Sequence, residues 1–540
     1  MNVLSTMLGF YQEALAVVRS NTALYVSAAL ATVLLFKLVN ISRRKVSTTR
    51  LLGPPSPSFL YGVAKDTMES SDPGSIYEEW MDEYGVAFEV PAALGRKTIM
   101  LLDPKALQHY YVRETWTYTA LPSARAALHR TTGKSVLWSI GEDHRSHAAI
   151  RKLTPIYFDC AYKTKAAWES IIDSGNGDSA IIEVQSWMSH ITLDTIGLAG
   201  FSHDFGSLEG KTTSVVAVLD TLGSSPSRSV INASFFVLSQ VFTALVYFPT
   251  KRNVLMQEIQ QELSKISEQL LDKRRKEKEA GIVDGKAEKS VIGLLLKAED
   301  AGADFHMSHE EITAQMKILL LAGYETTSTV LSWALLELAR NPAIQTKLRE
   351  ELLAFSGEPT YDQLTNNLPY LDAVVHETLR VDSPITELTR IATEDDVIPL
   401  SEPVRTRSGD LVDSISVAKG TRIGISVACM NRSAAIWGAD AKEFRPERWL
   451  DKDGLPKKAQ EIQGHRHLLT FSDGPRACLG KGFALAELKA VLSVLVKAFV
   501  FEMRDGPNTK VELGRGILPR PKIAGEVGTK LPLRVKRYGE

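Results

Sequence analysis

The chain has 540 residues, long enough to bury a large core without a disulfide or metal staple. Its 63 Lys and Arg against 64 Asp and Glu give a formal net charge of −1, which excludes the long-range electrostatic pull of a nucleic-acid binder; 44% hydrophobic and 24% charged residues exclude a disordered chain and a multi-span membrane protein. Only Cys160, Cys429 and Cys478 occur, an odd and sparse set that excludes a disulfide framework and suits a reducing compartment.

In chain order, an N-terminal segment, 1–21, precedes an apolar run, 22–41. Thr22 to Phe36 carry no charge, and Leu38, Val39 and Ile41 extend the run past Lys37, whose ammonium can snorkel to the interface. About 20 such residues span a bilayer. Arg43, Arg44, Lys45 and Arg50 follow the run, the reverse of a secretory signal, so it is predicted to stay as an anchor with the rest of the chain in the cytosol. Gly53-Pro54-Pro55-Ser56-Pro57 then predicts a stiff extended hinge over 42–58, and 59–540 reads as one large domain, mainly α with a minor β-sheet component. Strand-like runs cover Thr98–Leu102 and Arg422–Val427. Leu255, Ile259, Leu263, Ile266 and Leu270 step at helical spacing in a helix ending near Gly281. Ser308 and Glu311 have the spacing of a capping box, opening a long helix that Asn341-Pro342 stops after Arg340. Gly175-Asn176-Gly177 and Ser401–Asp413 read as surface loops, and Phe483–Phe499 as a helix.

Cys478 lies in Phe471-Ser472-Asp473-Gly474-Pro475-Arg476-Ala477-Cys478-Leu479-Gly480, just before that last helix. A thiolate becomes a metal ligand when a nearby cation and helix-start amides lower its pKa. Arg476 offers the cation, the helix start offers the amides, and Gly474 and Gly480 let the backbone turn tightly. A buried free cysteine in a loop is the plainer alternative.

This decapeptide matches F-x-x-G-x-R-x-C-x-G and resembles the haem-thiolate loop of cytochromes P450. Three further motifs in the family's order extend the resemblance from the anchor to about residue 505. It implies the cytochrome P450 fold after one transmembrane helix, and haem b (iron protoporphyrin IX) held by an axial Cys478 thiolate in a loop shaped by Phe471, Gly474, Arg476 and Gly480. Glu377-Thr378-Leu379-Arg380 is similar to the family's E-x-x-R pair, and Arg448 in Phe444-Arg445-Pro446-Glu447-Arg448-Trp449 would complete a buried triad that holds the haem-loop scaffold. Ala322-Gly323-Tyr324-Glu325-Thr326-Thr327 resembles the segment that crosses the open haem face: Ala322 and Gly323 make room for dioxygen, Thr326 hydrogen-bonds the oxygen, and Glu325 connects it to bulk protons. Arg390 joins Arg476 as a propionate anchor. The family's W-x-x-x-R helix is missing; in Gly141–Arg151, His147 and Arg151 have the i, i+4 spacing and are favoured as propionate donors over His144, which has Ala148 four residues on.

The resemblance implies a monooxygenase that inserts one oxygen atom from O2 into an apolar organic substrate such as a terpenoid, fatty acid or polyketide. No convincing G-x-G-x-x-G stretch is evident, so electrons come from NADPH through a membrane-bound NADPH–cytochrome P450 reductase. Arg466, Lys481 and Lys489, with Arg145 and Lys152, are the expected docking face. Trp116, Tyr118, Phe242, Ile318 and Leu388 fall in regions that line family pockets. Ile196 to Phe201 looks similar to fungal members, suggesting secondary metabolism. The expected setting is the endoplasmic reticulum membrane, in contact with lipid, with a cytosolic catalytic domain acting as a monomer and no nucleic-acid partner. A haem-thiolate isomerase or dehydratase and a non-catalytic haem sensor are the alternatives.

Overall fold

The computed structural model describes residues 46–135, 153–175, 177–211, 235, 237–281, 291–299, 306–515, 517–526 and 528–539. The segment 1–21, the anchor 22–41, and His144, His147 and Arg151 lie outside them. Among the described residues, no helix is long and apolar enough to cross a membrane.

The helices that build the site are α1 (Pro104–Arg113), α2 (Thr154–Ser174), α3 (Val184–Phe201), α4 (Lys251–Glu279), α5 (His309–Arg340), α6 (Pro369–Val381) and α7 (Lys481–Ala498). The predicted capping box opens α5: the Ser308 side chain accepts the Glu311 N–H, while Glu311 accepts the Ser308 N–H at 2.9 Å. Asn341 caps the far end and Pro342 starts the next helix. Between them α5 is buried on most sides, as its apolar middle demands, and lies against α3. The two backbones approach closely at Gly323, where an added Cβ would sit 2.9 Å from Ile196 Cγ1. There the Thr192 hydroxyl donates across to the Tyr324 carbonyl at 3.1 Å. α2 and α7 pack together beside this pair, and the α4 stripe buries Ile259, Leu263 and Leu270 against α5.

A five-stranded mixed sheet, ordered β1-β2-β8-β5-β3, joins β1 (Ala87–Pro91), β2 (Lys97–Leu101), β3 (Tyr118–Ala120), β5 (Glu387–Ala392) and β8 (Arg422–Ser426). β2 and β8, the two runs legible in the sequence, pair in parallel with Ile99 opposite Ile423. A second sheet is ordered β4-β12-β9, from β4 (Ser179–Glu183), β9 (Phe499–Met503) and β12 (Pro532–Arg537). Two hairpins remain, β6 (Asp396–Arg405) with β7 (Leu411–Val417), and β10 (Val511–Arg515) with β11 (Pro519–Ile523).

Two expectations change here. Ser401–Asp413 is largely strand: only the turn between Arg405 and Leu411 is loop, and the ladder shifts register between Pro399 and Val404. Pro399, Pro403 and the charged residues imitate a loop signal because a two-stranded ribbon with a register shift tolerates them. The hinge is also shorter than 42–58. Thr49 N–H donates to Ser416 O at 2.9 Å, Leu51 is fully buried, and Leu52 O accepts from Glu89 N–H at 2.9 Å. The folded domain therefore already holds the chain at residues 49–52, before Phe59.

Candidate active site

The E-x-x-R pair sits at the C-terminal end of α6, and the structure joins it to Arg448. Glu377, Arg380 and Arg448 are 0%, 0% and 1% exposed. The Glu377 carboxylate accepts from Arg380 Nε (2.9 Å) and Nη2 (2.8 Å), Arg448 Nε (2.9 Å), Trp449 Nε1 (3.0 Å) and the Arg445 N–H (2.9 Å). The second cation is balanced by Asp440, whose Oδ2 lies 3.3 Å from Arg448 Nη2, and guanidinium hydrogens left over find backbone oxygens. Arg380 donates to Asn431 O (3.0 Å), Ala441 O (2.5 Å) and Glu443 O (3.0 Å), and Arg448 to Asp440 O (3.0 Å).

From this triad a hydrogen-bonded path runs to the cysteine loop. Fully buried Asn431 takes the Arg380 bond on its carbonyl, accepts the Leu469 N–H on Oδ1 at 3.1 Å, and donates to Thr470 Oγ1 at 2.9 Å. Thr470 Oγ1 donates in turn to Leu379 O at 2.7 Å, closing the path back onto α6. The next residue, Phe471, accepts the Cys478 N–H on its carbonyl at 2.8 Å. Between them, Ser472 (φ 58°) and Gly474 (φ 67°) adopt left-handed backbone. A Cβ on Gly474 would lie 2.6 Å from Tyr111 O of α1, so the position takes glycine on two counts.

Cys160 and Cys429 are buried, and burial pushes the Cys160 thiol up to about 12. Cys478 alone is exposed, and yet desolvation also raises its pKa. The amides of Gly480 and Lys481 and the Lys481 charge act against that rise. Lys481 thus acts on the sulfur as a cation, the part expected of Arg476.

Arg476 instead belongs to a second cluster. Arg390, on β5, reaches Glu114 at 3.2 Å, and the Arg476 charge also acts on this carboxyl, which closes the end of α1 and is fully buried. Tyr110 OH donates to it at 3.4 Å. Burial raises the Glu114 pKa while both arginines oppose the rise. Glu114 is thus paired with one guanidinium and lies in the field of a second.

On α5, Ala322 is exposed on a helix that is otherwise largely buried, and Thr326 is half-buried with its hydroxyl donating to Ala322 O at 2.7 Å. Gly323 departs from expectation. The space its side chain would fill belongs to Ile196, so its small size serves helix packing and Ala322 is the residue left open. Glu325 departs as well. It is 3% exposed, ion-paired to Arg520 of β11, and accepts the Leu518 N–H at 3.3 Å, so it is not connected to bulk water.

Other expectations divide. Lys489 is buried with Nζ 2.7 Å from Asp372 and is removed from the docking face; Arg466 stays exposed, 3.2 Å from the same carboxylate, and Arg145 and Lys152 lie outside the described residues. Trp116 and Phe242 are exposed, and Tyr118 is fully buried, donating to Asp396 at 2.7 Å. Sequence reasoning missed Glu114, Asn431 and Arg520, which no spacing ties to their partners. Trp449 was within reach, since it ends the segment that carries Arg448.

Comparison with known proteins agrees with the motifs. Residues 52–524 match the family model described as Cytochrome P450. The chain is 53% identical over 521 residues to cytochrome P450 monooxygenase claP of Ampulloclitocybe clavipes, covering 93% of this chain and 96% of the relative. It is 52% identical over 520 residues to claQ of the same fungus, with the same coverage. Cytochrome P450 monooxygenase 205 of Postia placenta is 34% identical over 539 residues, covering 95% and 97%.

Proposed function

The chain belongs to the cytochrome P450 family of haem b monooxygenases with an axial cysteine thiolate, and we propose that Cys478 supplies that thiolate in an enzyme that oxygenates an apolar small molecule with electrons delivered from NADPH by a membrane-bound reductase. The observation that carries the reading is the loop itself: the one exposed cysteine, at a helix start, with two amides on its sulfur and a hydrogen-bonded brace behind it.

The residues present fit the cofactor. A reachable, desolvated thiol suits a soft thiolate ligand, and two arginines gathered near one buried carboxyl suit a pair of propionates. Arg390 and Arg476 would take the propionates, with Phe471, Gly474 and Gly480 shaping the loop. When bound, the haem supplies dioxygen activation, which the thiolate's electron donation directs toward O–O cleavage.

The remaining work falls to the chain. The triad holds the 469–471 backbone through Asn431 and so fixes where the Cys478 sulfur stands. Ala322 keeps the neighbouring volume open. Thr326, once its hydroxyl leaves Ala322 O, is the last proton donor, and Glu325 is the acid behind it. Lys481 and Arg466 are the described cations on the side of the cysteine loop that an acidic reductase would meet.

The N-terminal run 22–41 anchors the enzyme in the endoplasmic reticulum membrane, leaving the catalytic domain in the cytosol. The fungal relatives support a place in secondary metabolism, with a terpenoid the favoured class of substrate. The test is turnover of candidate terpenes and fatty acids in microsomes holding the chain and reductase under labelled dioxygen. One labelled oxygen atom per product, with NADPH consumed, is the expected result. Conversion without NADPH, or label arriving only from water, would overturn the assignment.

A further inference from the structure

Arg520 lies outside every motif, yet it is the partner of the acid assigned to proton delivery. It sits on β11, opposite Gly514 in the C-terminal hairpin, and is 7% exposed. Its Nη2 meets Glu325 Oε2, and the Leu518 N–H, one residue before β11, takes Oε1 at 3.3 Å. Ile517, in the same turn, packs against the apolar cluster of α3, α4 and α5 that contains Ile196, Leu320 and Tyr324. Both carboxylate oxygens are thus held by one hairpin, one residue away from Thr326.

A carboxylate in this grip cannot collect a proton from water and pass it on. Each of its oxygens already accepts a hydrogen bond, its charge faces the Arg520 guanidinium, and it is 3% exposed. Proton delivery therefore needs the grip to open, and the part able to open it is the turn that carries Leu518.

We propose that Arg520 is a positioning residue that latches Glu325 to the C-terminal hairpin, so that protons reach Thr326 only when the hairpin turn shifts and the latch opens. This rests on the reading of Glu325 and Thr326 as the acid–alcohol pair. With the latch open, Glu325 accepts a proton from water on the oxygen that Arg520 vacates and hands it toward the Thr326 hydroxyl. With the latch shut and no substrate present, the wasteful reaction O2 + NADPH + H⁺ → H2O2 + NADP⁺ is held back for want of protons.

The experiment needs no substrate. Haem-loaded full-length chain with reductase, NADPH and dioxygen alone is assayed for NADPH consumption and peroxide release, and amide hydrogen exchange at residues 517–526 is followed in parallel. Arg520→Gln is expected to raise substrate-free NADPH consumption at least threefold, with matching peroxide, and to speed exchange at Leu518. Arg520→Lys should restore both to within twofold of the parent. Glu325→Gln should lower consumption, and Glu325→Gln/Arg520→Gln should match Glu325→Gln alone; this amide pair carries no unpaired charge and keeps the test alive if Arg520→Gln fails to fold. Consumption and exchange unchanged in a folded Arg520→Gln protein would overturn the latch, as would a double variant as fast as Arg520→Gln. If neither Glu325→Gln nor Thr326→Ala alters consumption or peroxide, the acid–alcohol reading itself is refuted.

Discussion

Replacing Arg380 by lysine keeps the charge at the centre of the triad and removes the fork. Arg380 donates to five acceptors: both Glu377 oxygens and the carbonyls of Asn431, Ala441 and Glu443. An ammonium has three hydrogens, so at least two of these five hydrogen bonds are lost in a site with no exposure. At about 1.5–3 kcal/mol for each charge-assisted bond, the loss is about 3–6 kcal/mol. The Arg380→Ala change goes further, leaving a buried carboxylate short of one cation, a loss of about 3–5 kcal/mol before the orphaned carbonyls are counted. Against a typical stability of about 5–15 kcal/mol, the lysine variant should fold with a lowered urea midpoint and the alanine variant should fail to retain haem. Because Asn431 links Arg380 to the 469–471 backbone, haem content in the lysine variant should fall before global unfolding does. Urea titration followed by tryptophan fluorescence, with haem measured per mole of protein, reads both. A lysine variant with the parent midpoint and full haem, or an alanine variant with normal haem, would refute the bracing path.

Gly323→Ala should change sign with its neighbour. The new methyl group meets Ile196 Cγ1 at 2.9 Å and Cδ1 at 3.0 Å, so overpacking of about 1–3 kcal/mol outweighs the gain of up to about 1 kcal/mol in helix propensity; with Ile196→Ala in place only the gain remains. Chemical denaturation of the four variants checks this, and equal effects in both backgrounds would return Gly323 to the cofactor. Glu487 of α7 is fully buried, and burial pushes its carboxyl well above the usual range, with the Thr195 hydroxyl opposing. The folded state therefore holds this proton more tightly than the unfolded chain. Its contribution is complete below the unfolded value near 4.5 and declines as pH rises toward the folded value, by about 1.4 kcal/mol per pH unit. Glu487→Gln should flatten that decline and be at least as stable as the parent at pH 8; an unchanged slope in denaturation midpoints between pH 5 and 8 would count against it.

Local chemistry was legible in the chain wherever one segment carried the whole signal. The Ser308–Glu311 box, the α4 stripe and the loop around Cys478 each lie within a few turns of backbone, and the structure keeps all three. What the sequence hid was set by tertiary neighbours. Glu114 stands 276 residues before Arg390 in the chain, and Arg520 stands 195 residues after Glu325, so no spacing predicts either pairing. Gly323 was misread because a small residue in a helix looks the same whether it makes room for a ligand or for another helix. Lys489 was misread because a cation beside a basic loop gives no sign that Asp372 lies within 2.7 Å of it. The hairpin of β6 and β7 was hidden by prolines and charges that a two-stranded ribbon accepts where its register slips.

Cys478 is proposed as the one cysteine at the cofactor. The direct measurement is the carbon monoxide difference spectrum of dithionite-reduced protein for the parent and for Cys478→Ser, Cys160→Ser and Cys429→Ser. The parent should show the shifted Soret band of a thiolate-ligated haem. Cys160→Ser and Cys429→Ser should keep that band, and Cys478→Ser should lose it. A thiolate band surviving in Cys478→Ser, or one lost in either of the other variants with haem still bound, would contradict Cys478 as the ligand.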